Sequence, residues 1–178
     1  MIQSVAECNA IIVGAEKITK SVTQASEKLK IVTKHETEVD NSDVKSASTR
    51  GIVVTNAPGT NSDAVVDLTI GLFLSLASSI PLADRSVKEG EWPRIVGVQF
   101  NGKVVGIIGL RQIGKKVAKR ALGFDMRVLA YDVFKDEAFA KKWGITYMSL
   151  DELVTESDFL SIHVSLSSST RRLISERN

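Results

Sequence analysis

Short, unbroken runs of aliphatic residues punctuate the chain, and turn residues and a helical segment follow most of them. Ala10-Ile11-Ile12-Val13, Ile52-Val53-Val54-Thr55, Val104-Val105-Gly106-Ile107-Ile108 and Arg127-Val128-Leu129-Ala130-Tyr131 do not alternate apolar with polar side chains. A strand wetted on one face alternates; a strand covered on both faces does not. The runs therefore predict an α/β chain whose helices cover parallel sheets. Further strands are expected at Leu29–Thr33, Ile145–Met148 and Phe159–Val164. Helices are expected at Ile18–Leu29, after Asp43 as far as Gly51, from Ser62 to Ile80, from Pro81 to about Gly90, at Ile113–Leu122 and at Phe134–Trp143. One more should follow Ser149, whose spacing to Glu152 is that of a capping box. The turn-rich stretch Asn56–Asn61 reads as a domain break, giving segments 1–57 and 58–178.

Charge and cysteine usage exclude several classes. Lys and Arg total 23 against 21 Asp and Glu, without a basic cluster, so no nucleic-acid partner is expected. Cys8 is the only cysteine and there are two histidines, so neither an internal disulfide nor a metal site is expected. The N-terminus lacks the basic and apolar regions of a signal peptide. Ala64–Ile80 is the most apolar stretch, but it contains Asp67 and several serines and falls short of the ~20 residues of a membrane span. It reads as a buried or interface helix in a cytoplasmic protein without membrane contact.

The turn after Val104–Ile108 carries the chemistry. It reads Gly109-Leu110-Arg111-Gln112-Ile113-Gly114 and opens a helix. In a G-x-G-x-x-G turn between strand and helix, the first glycine makes the bend and the third lets the helix pack on the strand. The helix N-terminus then faces a pyrophosphate. Here the first and third glycines are present and Arg111 takes the second place, where it either pairs with the pyrophosphate or fills the space meant for it. Asp132 ends the next strand, where an acid binds ribose hydroxyls and repels a 2′-phosphate; this implies NAD rather than NADP. Gly109, Arg111, Gln112, Ile113, Gly114 and Asp132 are thus the expected cofactor contacts.

Three further segments, Asn56-Ala57-Pro58-Gly59-Thr60-Asn61-Ser62, Asp67-Leu68-Thr69-Ile70-Gly71-Leu72 and Asn101-Gly102-Lys103 leading into Val104–Gly109, resemble the D-isomer-specific 2-hydroxyacid dehydrogenases. The phosphoglycerate dehydrogenase branch is the nearest in pattern, and glyoxylate or hydroxypyruvate reductase is second. The resemblance implies a Rossmann-like NAD domain, a flavodoxin-like substrate domain, a 2-hydroxy acid substrate and a homodimer formed through the Ser62–Ile80 helix. Leu160–Thr170 resembles the family's H-V-P-L-T-P-x-T loop, which lines the adenosine side of the cofactor, and it adds His163 and Ser165 to the expected contacts.

Several positions depart from the family pattern. The substrate loop, R-x-G-x-G-x-D-N in relatives, reads Lys34-His35-Glu36-Thr37-Glu38-Val39-Asp40-Asn41, so Glu36 and Glu38 replace both glycines beside Thr37 and bring negative charge to an anion site. Ser165 and Ser168 stand where prolines are usual, which predicts a softer loop, and Phe124-Asp125-Met126 stands where Phe-Gly-Met is usual. Each change is one G-to-A or C-to-T step from the family residue, as expected of a gene decaying without selection or of a damaged or misread coding sequence. Lys34, Arg50 and Arg85 read as solvated surface charges, and His35 as a surface histidine. The resemblance also implies that the family's acid–base His, carboxylate-binding Arg and orienting Glu lie beyond the point matching Asn178, and that two strands precede Ile11. No catalytic residue is expected in these 178 residues, and the chain alone is expected not to turn over substrate.

Overall fold

Ala10 pairs with Ile31 and Ile31 with Val53, all in parallel, so the first aliphatic runs lie side by side as one sheet. A computed structural model describes residues 2–175 except Glu38 and Asp40. The chain forms two units, Met1–Asn61 and Ser62–Asn178. The first holds α1 (Ile2–Val5), β1 (Ala10–Val13), α2 (Lys20–Gln24), β2 (Ile31–Lys34), α3 (Val44–Thr49) and β3 (Val53–Thr55), with strand order β1-β2-β3. Asp43 caps α3 by accepting from the Ser46 amide, as its position predicts. The helix expected over Ile18–Leu29 is only the five-residue α2. Ile18 is committed elsewhere: its amide donates to the Asn41 carbonyl and its carbonyl accepts from the Asp43 amide. At the other end the Ser26 hydroxyl donates to the Cys8 carbonyl and accepts from the Lys28 amide, which turns the chain away from helix.

The second unit holds α4 (Ser62–Ala77), α5 (Ile80–Lys88), β4 (Val104–Ile108), α6 (Gln112–Leu122), β5 (Arg127–Tyr131), α7 (Glu137–Trp143), β6 (Thr146–Tyr147), α8 (Leu150–Glu156) and β7 (Phe159–Ile162). All its strands are parallel, in the order β6-β5-β4-β7. Successive strand residues point to opposite faces, so each strand feeds two cores. Val105, Ile107, Val128 and Ala130 pack with α4 and α6 through Val66, Ile70, Phe73, Val117, Ala118 and Ala121. Ile108 and Leu129 pack against Leu153 of α8 on the opposite face. Gly106 makes that second layer close: a Cβ there would run into Ser157 Oγ and the Leu153 side chain. The capping box of α8 forms in both directions between Ser149 and Glu152. This is the α/β arrangement of parallel strands that the uninterrupted aliphatic runs predict, in the Rossmann-like order that the resemblance implies.

One face of α4 is buried, and Asp63 and Asp67 at its border pair with Lys116 (2.7 Å) and Arg120 (2.9 Å) of α6. The other face presents Leu68, Leu72 and Leu76, which are 62%, 56% and 72% exposed. Among the described residues no single helix is long and apolar enough to cross a membrane; α4 and α5 pass only as a pair bent by 64°.

Asp125 adopts φ 56°, the left-handed conformation that suits glycine. Relief of left-handed strain is worth about 1 kcal/mol, and the flexibility of glycine in the unfolded chain removes about 0.5 kcal/mol of that. Asp125→Gly should therefore stabilise the protein by about 0.5 kcal/mol, read as a rise of about 2 °C in melting temperature. The loss of the long 3.3 Å bond from Asn101 Nδ2 to Asp125 is too weak to reverse the sign.

Candidate dinucleotide site

Strand order reverses about β4: β5 follows it through α6 on one side, while β7 arrives on the other. In open parallel sheets the crevice at such a switch point, beyond the carboxyl ends of the strands, is where a ligand fits. Gly109 leaves β4 there with φ 94°. A Cβ at this position would lie 2.7 Å from the His163 carbonyl oxygen and 2.9 Å from Val164 Cγ1, so both the bend and the contact with the loop after β7 require glycine. Gly114, in the first turn of α6, is buried, and a Cβ would run into the Gly109 carbonyl oxygen. The two glycines bring the N-terminus of α6 against the strand end, where the first helical amides, including those of Gln112 and Ile113, have no intrahelical acceptor.

Asp132 closes the other side. It is 8% exposed; one carboxylate oxygen accepts from the Leu110 amide at 2.8 Å and the other from the Phe134 amide at 2.9 Å. Each oxygen keeps a second lone pair. The carboxylate thus locks the Gly109 bend to the end of β5 and retains capacity for a diol. Arg111 is exposed, and its guanidinium carbon stands 5.7 Å from the centroid of the Phe134 ring.

His163 and Ser165 leave the end of β7 beside the Gly109 bend. The Ser161 hydroxyl and His163 Nε2 share a 2.7 Å hydrogen bond, and burial holds the imidazole below its usual pKa. The serine-rich loop closes on itself: Thr170 Oγ1 donates to the Ser165 carbonyl at 2.7 Å, and the Ser167 amide donates to Thr170 Oγ1 at 2.7 Å.

Sequence reasoning missed two supports of this site. Lys115 of α6 pairs with Asp136, which also caps α7 through the Phe139 amide; the Lys115 hydrogen bond, followed by that amide, holds the Asp136 carboxyl below its ordinary range. Tyr147 OH accepts from the Asp136 amide. The helix expected from Phe134 therefore begins at Glu137. The signal was available, because an Asp three residues before Phe139 is a cap spacing. The reading of Lys34 as a solvated charge is overturned: its side chain is 0% exposed, hydrogen-bonded to Asn41 and 3.2 Å from the Glu36 carboxylate. Glu36 and Thr37 belong to the first unit, where their carbonyls accept from the Ala57 amide and the Asn56 side chain. Glu38 lies outside the described residues. Among the described residues no group of three or more His, Cys, Asp or Glu side chains is placed to hold a metal.

Residues 70–178 match the family described as D-isomer specific 2-hydroxyacid dehydrogenase, NAD binding domain. The chain belongs to this family. Its members are NAD-dependent oxidoreductases, and NAD is the cofactor of the matched domain. The chain is 39% identical over 183 residues to a glyoxylate reductase of Korarchaeum cryptofilum, spanning 99% of this chain and 55% of that protein. It is 41% identical over 177 residues to a D-3-phosphoglycerate dehydrogenase of Archaeoglobus fulgidus, spanning 98% of this chain and 34% of that one. The crystal structure of D-lactate dehydrogenase from Aquifex aeolicus complexed with NAD and lactic acid superposes with a TM-score of 0.85 at 30% identity, over 96% of this chain and 52% of that one. The chain therefore spans about half, or less, of the length of these relatives.

Two outcomes follow from this geometry. Gly114→Ala forces backbone apart and should cost about 3 kcal/mol, measured by chemical denaturation. Because burial disfavours the His163 cation, the unfolded chain takes up a proton first as pH falls below the usual value of 6.5. The stability tied to His163 is complete above 6.5 and is lost as pH falls from there toward the lower folded pKa. His163→Gln should flatten the melting temperature between pH 7 and pH 5; an unchanged slope would exclude His163 as its source.

Proposed function

We propose that this chain carries the NAD-binding part of a D-2-hydroxyacid dehydrogenase of the phosphoglycerate type, with segment 1–57 contributing part of a substrate domain. The observation that carries the reading is the Asp132 carboxylate held 2.8 Å from the Leu110 amide, at the mouth of the Gly109 bend. In this reading Asp132 accepts the adenosine ribose hydroxyls, and the amides of Arg111, Gln112 and Ile113 receive the pyrophosphate. Gly109 and Gly114 set the bend, while His163 and Ser165 wall the adenosine side. NAD supplies the hydride acceptor, and the protein's part is to orient it and exclude water. His163 is engaged with Ser161 and is not assigned the acid–base role. The 41% identity to a D-3-phosphoglycerate dehydrogenase supports this substrate class, which would serve serine synthesis in the cytoplasm; the glyoxylate or hydroxypyruvate class is the alternative.

The exposed leucines of α4 favour a homodimer built through this helix, which ends at Ala77 rather than at the expected Ile80 because Ser79 turns left-handed before α5. Burying one leucine is worth about 2 kcal/mol, so a stripe of three is a strong incentive to associate. Leu72→Glu should convert a dimer to monomers in sedimentation or light scattering; a wild type that runs as a monomer at high concentration would refute the interface. A second reading, nucleotide binding without turnover, draws on Glu36 and Arg111 standing at glycine positions. NADH titration followed through Trp143 fluorescence tests the common part of both readings. Saturation in the micromolar range is expected for the wild type, with at least a tenfold weakening in Asp132→Ala. NADH that fails to saturate would overturn the reading. No oxidation of D-3-phosphoglycerate by this chain alone is expected; turnover with NAD would exclude the second reading.

A further inference from the structure

Among the described residues Arg111 is engaged by no carboxylate; like Lys119 and Lys135 nearby, it stands only against an aromatic ring. Lys115 pairs with Asp136, Lys116 with Asp63 and Arg120 with Asp67, whereas Arg111 makes no ion pair among the described residues. Its guanidinium lies 5.7 Å from the centroid of the Phe134 ring, which is itself 71% exposed. The backbone brings the two residues together. The Leu110 and Phe134 amides bind the two oxygens of one carboxylate, so the residue after Leu110 and residue 134 both leave from backbone held at Asp132, and the ring contact then sets where the guanidinium lies. A guanidinium over an aromatic face gains roughly 0.5–1 kcal/mol at an exposed site, enough to bias its direction without burying it.

We propose that Arg111 is a specificity-determining residue of the adenosine end, supplying positive charge beside Asp132 and thereby narrowing the preference for NAD over NADP. This rests on the cofactor site proposed above. Asp132 alone excludes a 2′-phosphate by like charge, and a nearby arginine accommodates one. This chain carries both within one hydrogen-bonded corner. Asp132 sets the direction of the preference, and Arg111 reduces its size by attracting the dianion that the carboxylate repels. Phe134 acts as the positioning residue, holding the guanidinium at the corner rather than free in solvent.

The test uses the full chain and two adenosine-half probes, 5′-AMP and adenosine 2′,5′-bisphosphate, with dissociation constants from calorimetry. The readout is the ratio of the bisphosphate constant to the AMP constant. Arg111→Gln should raise that ratio about tenfold, the value of one charge-assisted hydrogen bond, and any loss at the 5′-phosphate common to both probes cancels in the ratio. Phe134→Leu keeps the apolar contact and removes the aromatic face, so it should raise the ratio in part. The double variant should match Arg111→Gln alone, because the ring acts only through the guanidinium. Asp132→Asn should move the ratio the opposite way. Melting curves show that each variant is folded. Binding of both probes with a ratio indifferent to Arg111→Gln overturns this proposal and leaves the cofactor reading standing. Failure of the wild type to bind either probe overturns both.

Discussion

The Leu110 amide and the Asp132 carboxylate meet across two strands that the sequence separates by 22 positions, and the second unit is organised around that contact. The carboxylate is buried, and a buried charge is tolerated only where donors surround it. Two backbone amides supply them, one from the bend after β4 and one from the turn after β5. The bend can reach the carboxylate only because Gly109 adopts a left-handed φ and carries no side chain against His163. Gly114 then lets α6 lie on that same bend. Removing any one of these three features leaves the others without their partner.

The corner has a second ring of supports. The Lys115–Asp136 pair ties the first turn of α6 to the start of α7, and Tyr147 on β6 accepts from the Asp136 amide. Burial, and then the neighbouring Asp132, Asp136 and Glu137 charges, push the Tyr147 phenol up, while the Asp136 amide bond opposes them, so it stays protonated and available to this network at neutral pH. Helix ends, strand ends and the candidate cofactor crevice are therefore mechanically joined, although the groups that join them come from four elements.

Local chemistry was the legible part of the sequence. Asp43 and Ser149 with Glu152 are governed by neighbours within a few residues, and they cap as read; β4 and β5 keep their expected bounds, whereas β6 shortens to Thr146–Tyr147 and β7 ends at Ile162. The ends of α2 were not legible, because Ile18 is fixed by Asn41 and Asp43, and Ser26 by Cys8. The burial of Lys34 was hidden for the same reason: it follows from Asn41 and Glu36 closing over one ammonium, which no charge count reveals. Of the candidate site, the glycines and Asp132 could be found from spacing, since backbone geometry leaves few alternatives there. The destination of Arg111 could not, because a long side chain is placed by what lies across the turn.

The ion pair between Lys34 and Glu36 changes what a glycine at 36 would entail. It would give the loop a small, flexible backbone, but it would also strip an ammonium with no solvent access of an anion 3.2 Å away. Glu36 and the burial of Lys34 depend on each other, so exchanging the one calls for exchanging the other as well.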